Sequence, residues 1–163
     1  MNMGKIIERE KIADLVAKLR AEGKKIVFTN GCFDILHLGH IRYLREAKSR
    51  GDILIVGLNS DESVRKIKGE NRPIMGEEER AEILASLEMV DFVVIFEETV
   101  PDELIRLIKP DIHIKGGDYK SPEELPEAEL VRSLGGEVII VEGVEGKSTS
   151  NIIKTILEKY CKK

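Results

Sequence analysis

The segment TNGCFDILHLGHIRYL (residues 29–44) leads from a predicted buried strand into a predicted helix. The helix is expected to begin near Leu38, so His37 and His40 fall at its N-terminus. Unpaired backbone N–H groups and the helix dipole make such an end favourable for an anion. Gly39 removes a side chain and lets a bulky ligand lie close to the backbone. We therefore interpret the two histidines as hydrogen-bond donors to phosphate; the alternative is that one caps the helix and the other packs.

The rest of the chain repeats this strand-to-helix pattern and predicts an α/β fold. Short runs rich in Val and Ile predict strands at 25–30, 52–59, 91–96, 111–116 and 137–143. Helical spacing is found at 8–22, 38–50, 61–67, 77–89, 101–108, 123–134 and 149–161. Continuous apolar strands that alternate with helices indicate a Rossmann-like, five-stranded parallel sheet covered on both faces. Ligands of such sheets bind beyond the carboxyl ends of the strands.

Length and composition bound the possible functions. We expect residues 1–163 to form a single domain, with a leading amphipathic helix within residues 1–23. The net charge of −4 lacks the broad basic surface of a nucleic-acid-binding protein. No apolar run approaches the ~20 residues of a membrane span, and no apolar signal core begins the chain. We expect a cytoplasmic protein with two reduced cysteines, Cys32 and Cys161, and no nucleic-acid or membrane partner.

A second phosphate site is predicted in EGKSTSNIIKTI (145–156), where a glycine-bearing loop enters the last helix. One hydroxyl among Ser148, Thr149 and Ser150 is expected as an ordinary helix cap. Three in a row, after Gly-Lys, favour an additional role in binding phosphate. The string Gly-Lys-Ser-Thr is not a P-loop, because residue 141 is not the glycine which that motif requires.

A third strand end, IHIKGGDY (112–119), carries Lys115 and Asp118 beside two glycines. These side chains either recognise a base or sugar or form a solvated turn. His113 alternates with isoleucines and is interpreted as a structural strand residue.

A local basic cluster follows the second strand, in a chain that is otherwise acidic. Arg65, Lys66, Lys68 and Arg72 lie near a loop that contains glycine and proline and leaves the carboxyl edge of the sheet. Such a cluster is usually a solvated surface. At this edge we interpret it as a mobile clamp on phosphate.

These segments together resemble the nucleotidyltransferase superfamily marked by His-x-Gly-His, here residues 37–40. GKSTSNII (146–153) is similar to its second signature, although Lys154 stands where arginine is common. RPIMGEEERAEILASLEMVDFVV (72–94) resembles the middle of that family, with Arg72 and Arg80 in matching places. More narrowly, TNGCFDILHLGH, VGLNSDESV, ENRPI, IKGGDY and STSNIIK resemble the adenylyltransferase domains of ADP-heptose synthesis. The resemblance extends over about residues 25–158.

The resemblance implies a reaction as well as a fold. It implies transfer of AMP from ATP to D-glycero-β-D-manno-heptose 1-phosphate. We expect Mg²⁺ to be shared between the phosphates and water, with no direct protein ligand, since this ion commonly keeps several waters. A sugar kinase domain often precedes this domain in the family, and we expect a stand-alone form that can assemble as a homo-oligomer. The alternatives are a sister transferase resembling glycerol-3-phosphate cytidylyltransferase, and a module that senses ATP without turnover.

The motifs and the resemblance assign candidate residues to three roles. The predicted catalytic residues are His37, His40, Lys68 and Arg72. The predicted nucleotide-binding residues are Asn30, Gly31, Cys32, Phe33, Gly39, Lys115, Gly117, Asp118, Ser148, Thr149 and Ser150. The predicted acceptor-binding residues are Asp34, Asn59 and Tyr119, of which Asp34 could instead contact metal-bound water or serve only in a turn.

Overall fold

The computed structural model describes residues 5–117 and 119–161 and contains a parallel sheet. Its strands are β1 (Ile26–Gly31), β2 (Ile53–Asn59), β3 (Phe92–Phe96), β4 (Ile112–Gly117) and β5 (Glu137–Glu142). They lie in the order β3-β2-β1-β4-β5. The predicted five-stranded parallel α/β sheet is confirmed. The strand order reverses between β1 and β4, which is where open sheets of this kind bind ligands.

The helices agree with the predicted segments except between β4 and β5 and in the segment predicted at 77–89, where the helix ends at Ala85. They are α1 (Arg9–Ala21), α2 (Leu38–Ser49), α3 (Asp61–Lys68), α4 (Glu77–Ala85), α5 (Asp102–Ile108), α6 (Ala128–Ser133) and α7 (Thr149–Tyr160). No helix in the described ranges is long and apolar enough to cross a membrane.

The single helix predicted at 123–134 was wrong. The segment contains a 3-10 turn, Pro122–Glu124, and then Leu125 in an extended conformation with φ −86° and ψ 123°. Leu125 precedes Pro126, and the residue before a proline is disfavoured in the helical region because the proline ring crowds it. The helix α6 therefore begins only after the proline.

Each face of the sheet carries its own apolar core. On one face, α1, α5 and α6 enclose Phe28, Ile105 and Val131. On the other face, α2 and α4 enclose Leu44 and Leu84. The leading helix α1 packs on its own domain, since three of its residues are buried in the first core, at Ile12, Val16 and Leu19.

The sheet is split at its centre, between β1 and β4. The pairing of β1 with β2 runs from Ile26 to Gly31, whereas its pairing with β4 is limited to Val27↔Ile112 and Phe28↔His113. Beyond that point the hydroxyl of Tyr43 replaces the backbone hydrogen bonds between β1 and β4. It donates to Ile114 O on β4 at 2.8 Å and contacts the Thr29 hydroxyl on β1. The two strands therefore open a crevice at their carboxyl ends.

The buried guanidinium of Arg80 holds the neighbouring carboxyl ends in place. This α4 side chain donates to the carbonyls of Cys32 (2.7 Å), Asn59 (2.8 Å) and Met75 (2.8 Å), and it contacts an Asp61 carboxylate oxygen at 2.7 Å. It is 1% exposed. Arg80 thus joins the ends of β1 and β2 to α3 and to the loop before α4.

We expect Arg80→Met to lower the free energy of unfolding by about 3 kcal/mol, because it removes the donor to three carbonyls and to the partly exposed carboxylate of Asp61. The matched control is Arg50→Met, which removes an exposed ion pair with Glu46 and should cost less than about 1 kcal/mol. Urea denaturation monitored by circular dichroism measures both. Equal losses in the two variants would contradict the structural role of Arg80.

Candidate active site

A cavity of about 680 Å³ opens where β1 and β4 diverge. Its position is the one expected for a ligand site in this topology, and its volume is that of a small-molecule pocket. Its lining comes from the end of β1, the start of α2, the end of β4 and the loop from β5 into α7. The lining residues are Asn30, Gly31, Cys32, Phe33, His37, Gly39, His40, Tyr43, Lys115, Gly116, Gly117, Tyr119, Glu142, Gly143, Val144, Glu145, Gly146, Lys147, Ser148 and Asn151.

His37 and His40 form a reciprocal cap at the N-terminus of α2. Nδ1 of His37 accepts the backbone N–H of Gly39 at 3.1 Å, and Nδ1 of His40 accepts the N–H of His37 at 3.4 Å. The rings stack with their centroids 3.8 Å apart. Because each Nδ1 is an acceptor, a neutral ring carries its proton on Nε2. Capping uses Nδ1 in both rings and leaves Nε2–H for another partner, so capping and phosphate donation, treated as alternatives from the sequence, are compatible.

Both histidines are held in the neutral form. Burial, and then the charge of Lys147, lower the pKa of His37. Burial, and then the neighbouring His37, lower the pKa of His40 to about 4. At neutral pH the pair therefore consists of polar N–H donors and carries no net charge.

Gly39 has a packing role beside the ring of His37. A Cβ at this position would lie 2.9 Å from the imidazole of His37. The same reasoning applies to Gly116, where a Cβ would lie 3.0 Å from the ring of Tyr43. Both glycines let an aromatic ring approach the backbone beside the cavity.

The hydroxyl cluster at the start of α7 is divided among different tasks. Ser148 lines the cavity and accepts the N–H of Asn151 at 3.0 Å, as an N-cap. Thr149 donates to Ile35 O at 3.0 Å and so ties α7 to the loop after β1. Ser150 is exposed and lies outside the cavity lining. Consecutive helical residues project about 100° apart, and of these three side chains only Ser148 lies in the cavity lining; the phosphate role of all three stays a prediction.

Asn151 and Lys147 are lining residues that the sequence interpretation did not assign to the site. Asn151 donates from Nδ2 to Gly146 O at 2.9 Å. Lys147 lies close enough to His37 to lower its pKa. Lys154, the residue at the usual arginine position, is exposed and lies 3.9 Å from Glu158. The cation beside the histidines is thus Lys147, and the signal for it was the Gly-Lys dipeptide before the helix.

The predicted clamp residues Lys68 and Arg72 lie outside the cavity lining. Both are near Cys32, whose thiol pKa burial raises and these cations lower in part. Arg72 donates through Nε to Asp34 at 2.8 Å.

Asp34 is a buried anchor for the loop before α4. Its carboxylate accepts the N–H of Ile74 at 2.8 Å and that of Met75 at 3.0 Å, in addition to the Arg72 contact. The carboxylate oxygens of Asp34 are therefore engaged within the protein. This geometry fits the alternative, that Asp34 serves in a turn, better than the predicted contact with the acceptor substrate.

Of the two other predicted acceptor-binding residues, Asn59 lies outside the cavity lining and Tyr119 lies in it. Asn59 is 2% exposed, lies outside the cavity lining and donates to the Ser63 hydroxyl at 2.9 Å, so this geometry gives its predicted substrate contact no support. Tyr119 and Gly117 line the cavity. Asp118 lies outside the described residues.

Among residues 5–117 and 119–161, no group of three or more His, Cys, Asp or Glu side chains is arranged to hold a metal ion.

The chain matches known proteins along most of its length. A cytidylyltransferase-like family model matches residues 28–157. The chain is 57% identical over 156 residues to the bifunctional protein HldE of Pelobacter propionicus, covering 96% of this chain and 32% of that protein. It is 58% identical over 149 residues to HldE of Aliarcobacter butzleri, covering 91% of this chain and 30% of that protein. It therefore spans about a third of the length of these curated relatives.

Solved structures agree with this assignment. The crystal structure of a lipopolysaccharide core biosynthesis protein from Thermoplasma volcanium superposes with a TM-score of 0.60 at 38% identity, covering 75% of this chain and 98% of that one. A pantoate-beta-alanine ligase from Francisella tularensis has a TM-score of 0.63 at 18% identity, covering 94% and 78%, which is a likeness of fold alone. Since the family model spans well over half of the sequence, the chain belongs to the cytidylyltransferase-like family.

Proposed function

We propose that this nucleotidyltransferase transfers AMP from ATP to D-glycero-β-D-manno-heptose 1-phosphate and releases pyrophosphate and ADP-heptose. One observation carries the proposal: the paired Nε2–H donors at the start of α2 and the Lys147–Ser148 end of α7 line one cavity. The sequence resemblance to adenylyltransferase domains of ADP-heptose synthesis supports the nucleotide and the acceptor. The likeness to a lipopolysaccharide core biosynthesis protein supports a sugar acceptor.

The reaction needs positioned donors rather than a protein nucleophile. An oxygen of the sugar phosphate attacks the α-phosphorus of ATP, the bond to the bridging oxygen breaks, and pyrophosphate leaves with that electron pair. Catalysis then consists of alignment and stabilisation of charge on phosphoryl oxygens. Burial keeps the Cys32 thiol protonated by raising its pKa, and the proposal gives it no covalent role.

The histidines are assigned the largest share of this stabilisation. Their Nε2–H groups would donate to oxygens of the α- and β-phosphates, and Lys147 and Ser148 would bind the β- and γ-phosphates. A helix N-terminus contributes about 0.3–1 kcal/mol, whereas loss of one donor to a developing oxyanion costs about 2.7–4 kcal/mol. The donors therefore outweigh the helix dipole.

Mg²⁺ is proposed to enter with the nucleotide. It prefers oxygen ligands and keeps several waters, so phosphate oxygens and water would complete its shell and it would neutralise phosphate charge. The clamp roles of Lys68 and Arg72, a cytoplasmic location and a homo-oligomer stay predictions.

A screen of nucleotides and acceptors tests the function. The protein is incubated with ATP or CTP and with heptose 1-phosphate or glycerol 3-phosphate, and pyrophosphate release is measured. We expect the highest kcat/KM for ATP with heptose 1-phosphate. Preference for CTP with glycerol 3-phosphate would identify the sister transferase, and ATP binding without pyrophosphate release would identify a sensing module; either result overturns the proposal.

Removal of one Nε2–H donor should lower kcat on the order of 10²–10³-fold. The variants are His37→Asn and His40→Asn, because an asparagine oxygen can replace Nδ1 as the capping acceptor while nothing replaces Nε2. Folding is checked by thermal melting. Cys32→Ser, as a control, should retain most activity. Wild-type turnover in both asparagine variants would remove the histidines from the mechanism.

The neutral histidines predict the pH dependence of both activity and stability. His40, with its pKa lowered to about 4, should cause no loss of kcat/KM as pH falls through 6.5, only on the approach to 4. In the unfolded chain His40 takes up its proton at higher pH than in the folded protein. The contribution of neutral His40 to the free energy of unfolding is therefore complete above about pH 6.5 and is lost as the pH falls through about 4. His40→Asn should lessen that loss in urea titrations between these limits. An activity inflection near pH 6.5 that vanishes in His40→Asn would disprove this.

A further inference from the structure

A buried polar pair lies behind the cavity wall and has no part in the mechanism so far. His113 on β4 is 0% exposed and Glu127, just before α6, is 5% exposed. Nε2 of His113 lies 3.0 Å from Oε1 of Glu127. The His113 ring also stacks on Phe28, with a centroid separation of 5.6 Å. A carboxylate at this depth is costly unless it is paired, so its presence calls for a cation.

The cation whose charge acts on Glu127 is Lys115. Residues 113 and 115 project from the same face of β4 because a strand alternates its side chains. The ammonium of Lys115 donates to Asn30 O at 2.7 Å, across the gap where β1 and β4 have separated. Lys115 also lines the cavity. Of its three N–H donors, this hydrogen bond uses one, and the others are available to a ligand.

The charges around Lys115 come from three further elements. Burial lowers the pKa of Lys115 and so does Lys68 at the end of α3, whereas Glu127 and Cys32 raise it. Burial also lowers the pKa of His113, which leaves that ring neutral. Burial opposes ionisation of Glu127, but the hydrogen bond from His113 and the charge of Lys115 lower its pKa overall. A neutral imidazole thus orients an ionised carboxylate opposite the lysine.

We propose that Glu127, oriented by His113, is a positioning residue that keeps Lys115 cationic in the cavity wall, where the ammonium binds an anionic oxygen of the nucleotide. The identity of that ligand rests on the proposed function, whereas the link from Glu127 to Lys115 does not. The pairing also explains how a carboxylate can lie behind an anion site, because the lysine between them compensates its charge.

The link is tested directly in the free protein. Glu127→Gln keeps the size of the side chain and an acceptor for His113 but removes the charge. In ¹³C-lysine-labelled protein, the Cε resonance of Lys115, assigned with Lys115→Arg, should titrate at lower pH in Glu127→Gln than in the wild type. The matched control is Glu123→Gln, which removes an exposed carboxylate paired with Arg132 and should leave this titration unchanged.

An unchanged titration of Lys115 in Glu127→Gln would overturn the proposal whatever the substrate is. If Glu127→Gln does not fold, Glu127→Asp withdraws the carboxylate by one methylene and should move the titration in the same direction by less. No movement there would overturn the proposal equally.

The activity measurement separates positioning from a purely structural role. In Glu127→Gln, kcat/KM for pyrophosphate release should fall on the order of tenfold at pH 9 but little at pH 6, because the lysine loses its proton at lower pH. In a Lys115→Met background the same change should add no further loss. If Glu127→Gln lowers the melting temperature but leaves the alkaline limb of the kcat/KM profile unmoved, the binding role of Lys115 is overturned. Absence of pyrophosphate release with every acceptor would refute the proposed function and leave the Lys115 titration decisive for the link.

Discussion

The incomplete pairing of β1 with β4 is the constraint on which the site depends. Two adjacent parallel strands normally continue their ladder, yet here it stops after Phe28↔His113. The backbone groups beyond that point require other partners, since buried unpaired polar groups are costly. The hydroxyl of Tyr43 and the ammonium of Lys115 supply them at Ile114 O and Asn30 O. The cavity therefore exists because side chains replace a stretch of the sheet's own hydrogen bonds.

Two separate helix N-termini meet at this cavity. Helix α2 follows β1 and α7 follows β5, so each helix begins at the carboxyl edge of the sheet. The Thr149 hydroxyl then fastens the start of α7 to Ile35 in the loop that leads to α2. Two helix N-termini that are far apart in the sequence are thereby held in a fixed relation at the cavity.

Sequence reasoning predicted the elements and the histidine pair because those depend on local patterns. Hydrophobic runs and the spacing of His37 and His40 are readable along the chain. The direction in which a side chain points is not readable in this way. Asn59 ends a strand on the buried side, and Ser150 lies on the outer side of α7. The extended Leu125 is a partial exception, since Pro126 could have indicated the break before α6.

In this site the hydrogen-bond donors at the start of α2 and the positive charges are carried by different side chains. Two imidazolium rings with centroids 3.8 Å apart would repel each other, and burial adds to the cost of charging them. The rings are neutral instead, so their Nε2–H groups can be preorganised at the helix end without that cost. The cationic charge comes from lysines placed elsewhere in the wall, Lys147 on the loop before α7 and Lys115 on β4. A chain with a net charge of −4 in this way places a few local cations in the cavity wall, while the two imidazoles at the helix end remain fixed and uncharged.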